Sequence, residues 1–239
     1  MKDNELSELE LRRYSRQIKL NELGLAGQLK LKKSRVLVIG AGGLGTPTLQ
    51  YLAAAGVGTI GICDNDYVDE TNFHRQIMYG ASDLGKLKTI VAKEKLHLLN
   101  PLVHYEIINI LVSIDNVVNI IENYDLVLDC TNNHLTHNVL SEGCKALTKP
   151  LIISEVKKFE GRIIAFNYEA EPGLPTFTIE QSWNTQKVDE LGILGVIPGI
   201  LGSIQTNEAI KTLLSIGNSL SGKVLVFDGL NNSFNIKDL

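Results

Sequence analysis

Four glycines in the stretch GAGGLG (Gly40, Gly42, Gly43 and Gly45) fit the spacing G-x-G-x-x-G with one glycine to spare. They follow the apolar run SRVLVI and precede TPTLQYLAAAGVG. Glycine lets backbone N–H groups approach a phosphate with no Cβ in the way. A helix starting just after such a turn adds free N–H groups and positive dipole. Asp64 closes the next apolar run at the spacing where an acidic side chain takes ribose hydroxyls. Turn and acid together point to a nucleotide, and they serve a hydride-carrying dinucleotide as well as ATP. Residues further along separate the two. The loop NDYVDETNFHRQIMY carries Asp66, Asn72, Arg75 and Gln76, and Lys88 follows it. An arginine fork and a lysine point charge converging on the turn suit a triphosphate. No Tyr-x-x-x-Lys occurs, which weakens the commonest short-chain hydride chemistry.

These side chains need a frame. Residues 34–40 read as a buried strand, and 46–56 as a helix with Thr46 as cap, Pro47 in the first turn and Gly56 as terminator. Strand 57–64, helix 82–100, strand 103–111, helix 115–124, strand 125–130, helix 134–148 and strand 150–156 follow. Alternating strands and helices predict a Rossmann-like, doubly wound α/β fold with a mainly parallel sheet. After 156 the pattern changes to a strand at 161–169, a helix at 198–217 and two final strands, which predict an antiparallel C-terminal extension of the sheet. The whole chain, 1–239, reads as one domain. It comprises an N-terminal helical arm (1–32), a nucleotide-binding half (33–156) and an extension with the partner-binding half (157–239).

Bulk properties narrow the class. With 44% hydrophobic residues the chain can build a core, and a net charge of -4 argues against non-specific nucleic-acid binding. The charged N-terminus predicts no targeting peptide, and the longest apolar stretch, 14 residues, is too short for a membrane span. Three cysteines at unrelated spacings predict a reduced, cytoplasmic protein without disulfides.

At this point the chain resembles the ThiF/MoeB/HesA adenylyltransferases, bacterial relatives of ubiquitin-activating enzymes. The matches are RYSRQI (13–18), VLVIGAGGLGTP (36–47), YLAAAGVG (51–58), Asp64 with VDETNFHRQI ending at 77, LGKLK (84–88), LLNP (98–101), DLVLDCT (125–131) and GILGVIPGILGSIQTNEAIKTLL (192–214), in order over nearly the whole length. The resemblance implies that ATP and Mg²⁺ bind. A small ubiquitin-fold sulfur carrier ending in Gly-Gly, or a peptide, is adenylated at its C-terminal carboxylate for thiamine- or molybdopterin-type sulfur transfer. It implies that Gly40, Gly42, Gly43 and Gly45 face the phosphates, that Asp64 holds the ribose with Asp66 beside it, and that Asn72, Arg75, Gln76 and Lys88 lie along the nucleotide. Arg16 would reach into a partner subunit's site, which implies a homodimer. Arg16, Arg75, Lys88 and Asn132 make up the implied catalytic set.

The chain also departs from that family. The usual Asp-Cys-Thr-Asp-Asn reads DCTNN, so Asn132 stands at the magnesium position, where a unit charge is worth roughly 4 kcal/mol at intermediate dielectric. Slow adenylation, a substitute ligand such as Asp129, and binding without turnover all follow as readings. His137 replaces a usual arginine. The family's paired Cys-x-x-Cys motifs are absent, so no structural zinc of that type is expected. Cys130, His134 and His137 could share one helix end and hold a metal there, although a buried strand-end cysteine beside two helix-surface histidines is the expected arrangement. Val188 takes the place of a thiol acceptor found in some members, and Cys63 and Cys144 read as small core residues. The preferred reading is an adenylyltransferase. The alternative is an ATP-binding pseudo-enzyme or partner-docking homodimer, attenuated by Asn132 and His137.

Overall fold

The computed structural model describes residues 5–177 and 192–239. Three helices, α1 (Glu8–Arg13), α2 (Ser15–Ile18) and α3 (Gly24–Lys33), precede β1 (Arg35–Ile39). Then come α4 (Gly45–Ala55), β2 (Thr59–Cys63), α5 (Lys88–Leu99), β3 (His104–Ile108), α6 (Val117–Ile121), β4 (Leu126–Asp129), α7 (His134–Ala146), β5 (Pro150–Lys157) and β6 (Glu160–Asn167). The long α8 (Val196–Leu214), β7 (Lys223–Asp228) and β8 (Ser233–Asp238) complete the described chain.

The eight strands form one sheet in the order β3-β2-β1-β4-β5-β6-β7-β8. The first five are parallel and the last three are added antiparallel, as the change of pattern after residue 156 predicts. Strand periodicity sorts the core. In β1, Val36 and Val38 face a layer of α3, α4, α5 and α8, while Leu37 and Ile39 face α6 and α7. In β4, Leu126 and Leu128 join the first layer and Val127 the second.

Helix α4 starts one residue before the predicted cap. Leu44 is its N-cap, with no side-chain cap bond, and the Thr46 hydroxyl is buried with no hydrogen-bond partner among the described residues. Gly56 ends it in the left-handed conformation, φ 81°, as predicted. Helix α5 begins at Lys88, six residues later than predicted. Ala81–Asp83 form a 3-10 turn, Gly85 takes φ 73°, and Leu87 is extended and bridged to Tyr67. Among the described residues, no helix is long and apolar enough to cross a membrane.

Candidate functional site

The chain runs outward from β1 to β2 and β3, then returns to place β4 on the other side of β1. A doubly wound sheet opens a crevice at such a switch point, beyond the carboxyl ends of the strands. A cavity of about 460 Å³ lies there, lined by residues that follow β1, β2 and β4 and by Val156 of β5.

Its floor is the glycine turn. A Cβ on Gly45 would lie 1.9 Å from the Gly40 carbonyl oxygen, so only glycine lets the helix start pack onto the strand end. Gly42 differs: a Cβ there would meet only the Gln76 amide at 3.7 Å. The turn is clamped at Ala41. The Ala41 N–H donates to Asp64 Oδ2 at 2.7 Å, and the Tyr79 hydroxyl donates to the Ala41 carbonyl at 2.8 Å. The other Asp64 oxygen accepts the Asp66 N–H at 2.8 Å. Each carboxylate oxygen keeps a second lone pair for a ligand hydroxyl.

The cations sit on one wall. Lys88 is 4% exposed, and its ammonium donates to Asp66 Oδ2 at 2.5 Å. Burial opposes charge on Asp66, but the Lys88 ammonium and the Tyr67 N–H outweigh it and hold the carboxyl below the usual range. Arg75 Nη1 donates to the Thr71 carbonyl at 2.9 Å, beside His74. The buried Gln76 amide donates to Asn72 Oδ1, and its own oxygen has no partner among the described residues. Gly40, Gly42, Gly43, Asp64, Asp66, Asn72, Arg75, Gln76 and Lys88 therefore all border one cavity, with Gly45 directly beneath it.

Three sequence-derived residues lie differently. Arg16 is exposed on α2, whose neighbour Gln17 donates to the Ala55 carbonyl at the far end of α4. That end lies roughly 16 Å from the glycine turn at 1.5 Å per residue. Asn132 lines the cavity but is held by the backbone of β5. Its Oδ1 accepts the Val156 N–H at 2.8 Å and its Nδ2 donates to the Val156 carbonyl at 3.2 Å. Asp129 is fully buried and absent from the lining. One oxygen accepts the Thr131 N–H and hydroxyl, and the other accepts from His137 Nδ1 at 2.7 Å.

His137 is correspondingly no helix-surface residue; it is fully buried and points at the sheet. Burial works against its charge, but the flanking Asp129 and Glu155 carboxylates raise its pKa above the ordinary value. Cys130 lies on the opposite face of the strand from Asp129, with its sulfur 3.2 Å from Gln205 Oε1, so it shares no cluster with the histidines. Cys63 and Cys144 are buried as expected, and burial pushes the Cys63 thiol up to about 12. Val188 lies outside the described residues.

Sequence reasoning missed several lining groups: Ile110, Leu111 and Val112 after β3, Thr131, Val156, and Pro198 on α8. It also missed Tyr79 as the turn's second clamp. Thr131 and Pro198 lie in stretches that carry the family resemblance; the others reach the crevice only through topology, and no local pattern marks them.

Comparison with known proteins places this geometry in context. A family model described as "ThiF family" matches residues 14–239. The chain is 38% identical over 232 residues to the sulfur carrier protein adenylyltransferase of Thermus thermophilus, covering 94% of this chain and 86% of that one. It is 41% identical over 234 residues to the probable molybdopterin-synthase adenylyltransferase of Gracilaria tenuistipitata var. liui, covering 97% of this chain and 66% of that protein. A similar protein of Porphyra purpurea is 60% covered, so the chain spans just under two thirds of the length of these two relatives. Among solved structures, PaaA superposes with a TM-score of 0.82 at 22% identity, over 98% of this chain and 74% of that one. E. coli MccB with ATP superposes with a TM-score of 0.76 at 18% identity, over 95% and 71%. At such identities these two structures speak for the fold alone.

Proposed function

The chain belongs to the ThiF family, and from that premise we propose that it is an ATP-dependent adenylyltransferase acting on the C-terminal carboxylate of a small sulfur-carrier protein. The names of its relatives support the activity and the carrier class. The observation that carries the reading is the juxtaposition of the open Gly42 backbone with Arg75 and Lys88 in one cavity.

In this reading the turn amides and the start of α4 take the phosphates, Asp64 takes ribose hydroxyls, and the apolar Ile110–Val112 stretch borders the base. A carrier carboxylate oxygen attacks the α-phosphorus. The bond to the bridging oxygen breaks, and pyrophosphate leaves with that electron pair, giving an acyl-adenylate. Lys88 and Arg75 neutralise charge as it builds on the leaving group. Lys88 does so by leaving its ion pair with Asp66 or by sharing it.

Magnesium at the DCTNN segment does not fit these residues. Asn132 brings no charge, and its amide is fixed by two bonds to Val156 that leave Oδ1 a single lone pair, while the Asp129 carboxylate is sealed behind Thr131 and His137. No step is assigned to a metal there.

In this reading the protein is a homodimer, and Arg16, which stands at the far end of α4 from its own cavity, reaches the site of a second copy. A specific observation favours the second reading, a nucleotide-binding docking protein with attenuated turnover: the DCTNN segment presents no carboxylate to the cavity. ATP–pyrophosphate exchange separates the two. Exchange that depends on a partner ending in Gly-Gly supports adenylation. ATP binding without exchange supports the docking protein.

A further inference from the structure

Behind the cavity wall, α7 and β5 bring His134, His137 and Glu155 together, with one ligand atom of each within 4.8 Å of the others. His137 Nε2 lies 3.6 Å from Glu155 Oε1, and His134 Nδ1 lies 3.7 Å from the same oxygen. His137 and Glu155 are fully buried.

The Nε2 of His137, unpartnered among the described residues, makes this cluster unusual. Its Nδ1 faces the Asp129 carboxylate, which only accepts, so Nδ1 carries the hydrogen. In the neutral ring Nε2 then turns a lone pair toward Glu155. In the neutral ring that lone pair faces a carboxylate oxygen, which is repulsive; in the charged ring the Nε2–H stands 3.6 Å from it, too far for a hydrogen bond, so this oxygen leaves Nε2 unsatisfied in either state. The buried Nε2 has no hydrogen-bond partner among the described residues. Two ligands of a tetrahedral zinc ion at about 2.0–2.1 Å stand roughly 3.3 Å apart, close to both separations seen here. Arg162 Nε occupies the other Glu155 oxygen and so turns Oε1 toward the imidazoles. A carboxylate behind a metal-bound histidine is the usual means of fixing its tautomer.

We propose that His134 Nδ1, His137 Nε2 and Glu155 Oε1 bind a zinc ion, with Asp129 orienting His137. Two imidazoles and one carboxylate select zinc over magnesium. The ion ties the first turn of α7 to β5, and these two elements present Thr136 and Val156 to the nucleotide cavity. Zinc here joins neither Cys130 nor a Cys-x-x-Cys pair, and the site stands whether or not the chain adenylates anything.

The test uses the full chain, untagged and stripped with a chelator, titrated with zinc by calorimetry and with cobalt by visible absorption. One equivalent of zinc should bind, and cobalt should give the intense bands of a tetrahedral site. His134→Ala, altered at the least buried ligand, should keep the wild-type circular dichroism and lose those bands. Glu155→Gln should weaken zinc about 100-fold or more, beyond the 10–100-fold typical of an outer-shell partner. The exposed His104→Ala should bind as wild type does. Binding that survives both His134→Ala and Glu155→Gln would overturn the site. So would an absence of binding, with nitrogen NMR showing His137 doubly protonated at neutral pH.

Discussion

The Asn132 carboxamide and the Val156 peptide are matched donor to acceptor, closing a two-bond ring between the end of β4 and the end of β5. Asn132 makes it from a left-handed backbone, φ 54°, which asparagine tolerates better than most residues. An aspartate would keep the bond from the Val156 N–H and set a carboxylate oxygen against the Val156 carbonyl. Asn132→Asp should therefore lower thermal stability by about 1–3 kcal/mol, the cost of an unsatisfied partner. Melting curves check the stability. Pyrophosphate exchange on the same variant checks activity: a rise of orders of magnitude would mean that the clasp opens and the carboxylate turns into the cavity.

Two glycines of one turn should respond oppositely to alanine. At Gly45 the new methyl would overlap the Gly40 carbonyl, so Gly45→Ala should be strongly destabilised or insoluble. At Gly42 it has room, so Gly42→Ala should melt like wild type while its affinity for ATP falls. Calorimetry with ATP on the folded Gly42→Ala protein reads this directly. Unchanged affinity would remove the turn from the phosphate site.

Lys88→Ala should lower exchange by about 10²–10³-fold, the range for losing one preorganised charge partner. Because the lysine is buried, Lys88→Arg should not restore it: the larger guanidinium has no matching space. Full activity in Lys88→Arg would place the phosphates elsewhere.

The Asp66–Lys88 pair also leaves a mark on acid stability. The folded carboxyl titrates below its ordinary range, so the ionised form adds stability above an unfolded value of about 4. That stability is lost as pH falls through the lower folded value. Melting temperature followed from pH 7 to pH 3 should therefore drop more steeply in wild type than in Asp66→Asn. Parallel curves would show that the pair is not formed in solution.

Arg16 is tested by mixing. Arg16→Ala and Lys88→Ala proteins, each impaired alone, should together recover about a quarter of wild-type exchange, because half of the randomly reassorted two-fold dimers hold one complete site. No recovery after subunit exchange would mean that Arg16 acts within its own chain or not at all.

Much of this arrangement was legible in the sequence, for identifiable reasons. The mainly parallel sheet and its antiparallel extension follow from apolar runs and their spacing, which local composition records; the order of the strands does not, because it is set by pairings between distant segments. The residues meeting at the cavity follow from the glycine turn and the loop after Asp64. The late start of α5 escaped because Gly85 and the Tyr67–Leu87 bridge override a helix-like stretch, and the bridge is a contact between distant residues. His137 escaped for a related reason. A histidine on a helix looks solvent-facing until Asp129 is known to stand across from it. The Asn132 clasp was equally invisible, since its partner is a peptide group and peptide groups carry no sequence signature.

The N-terminal arm decides where this unit can be cut from a longer chain. Leu31 and Gln28 are fully buried, the Tyr14 hydroxyl accepts the Asn100 amide at 2.8 Å, and the Gly58 position leaves no room for a methyl against the Lys32 carbonyl. A chain cut to begin at the first strand would uncover α8 and the carboxyl end of α4, which the arm covers. A fusion or minimal fragment should therefore begin ahead of Ser7, whose hydroxyl caps α1, however tempting the junction at residue 34 looks on paper.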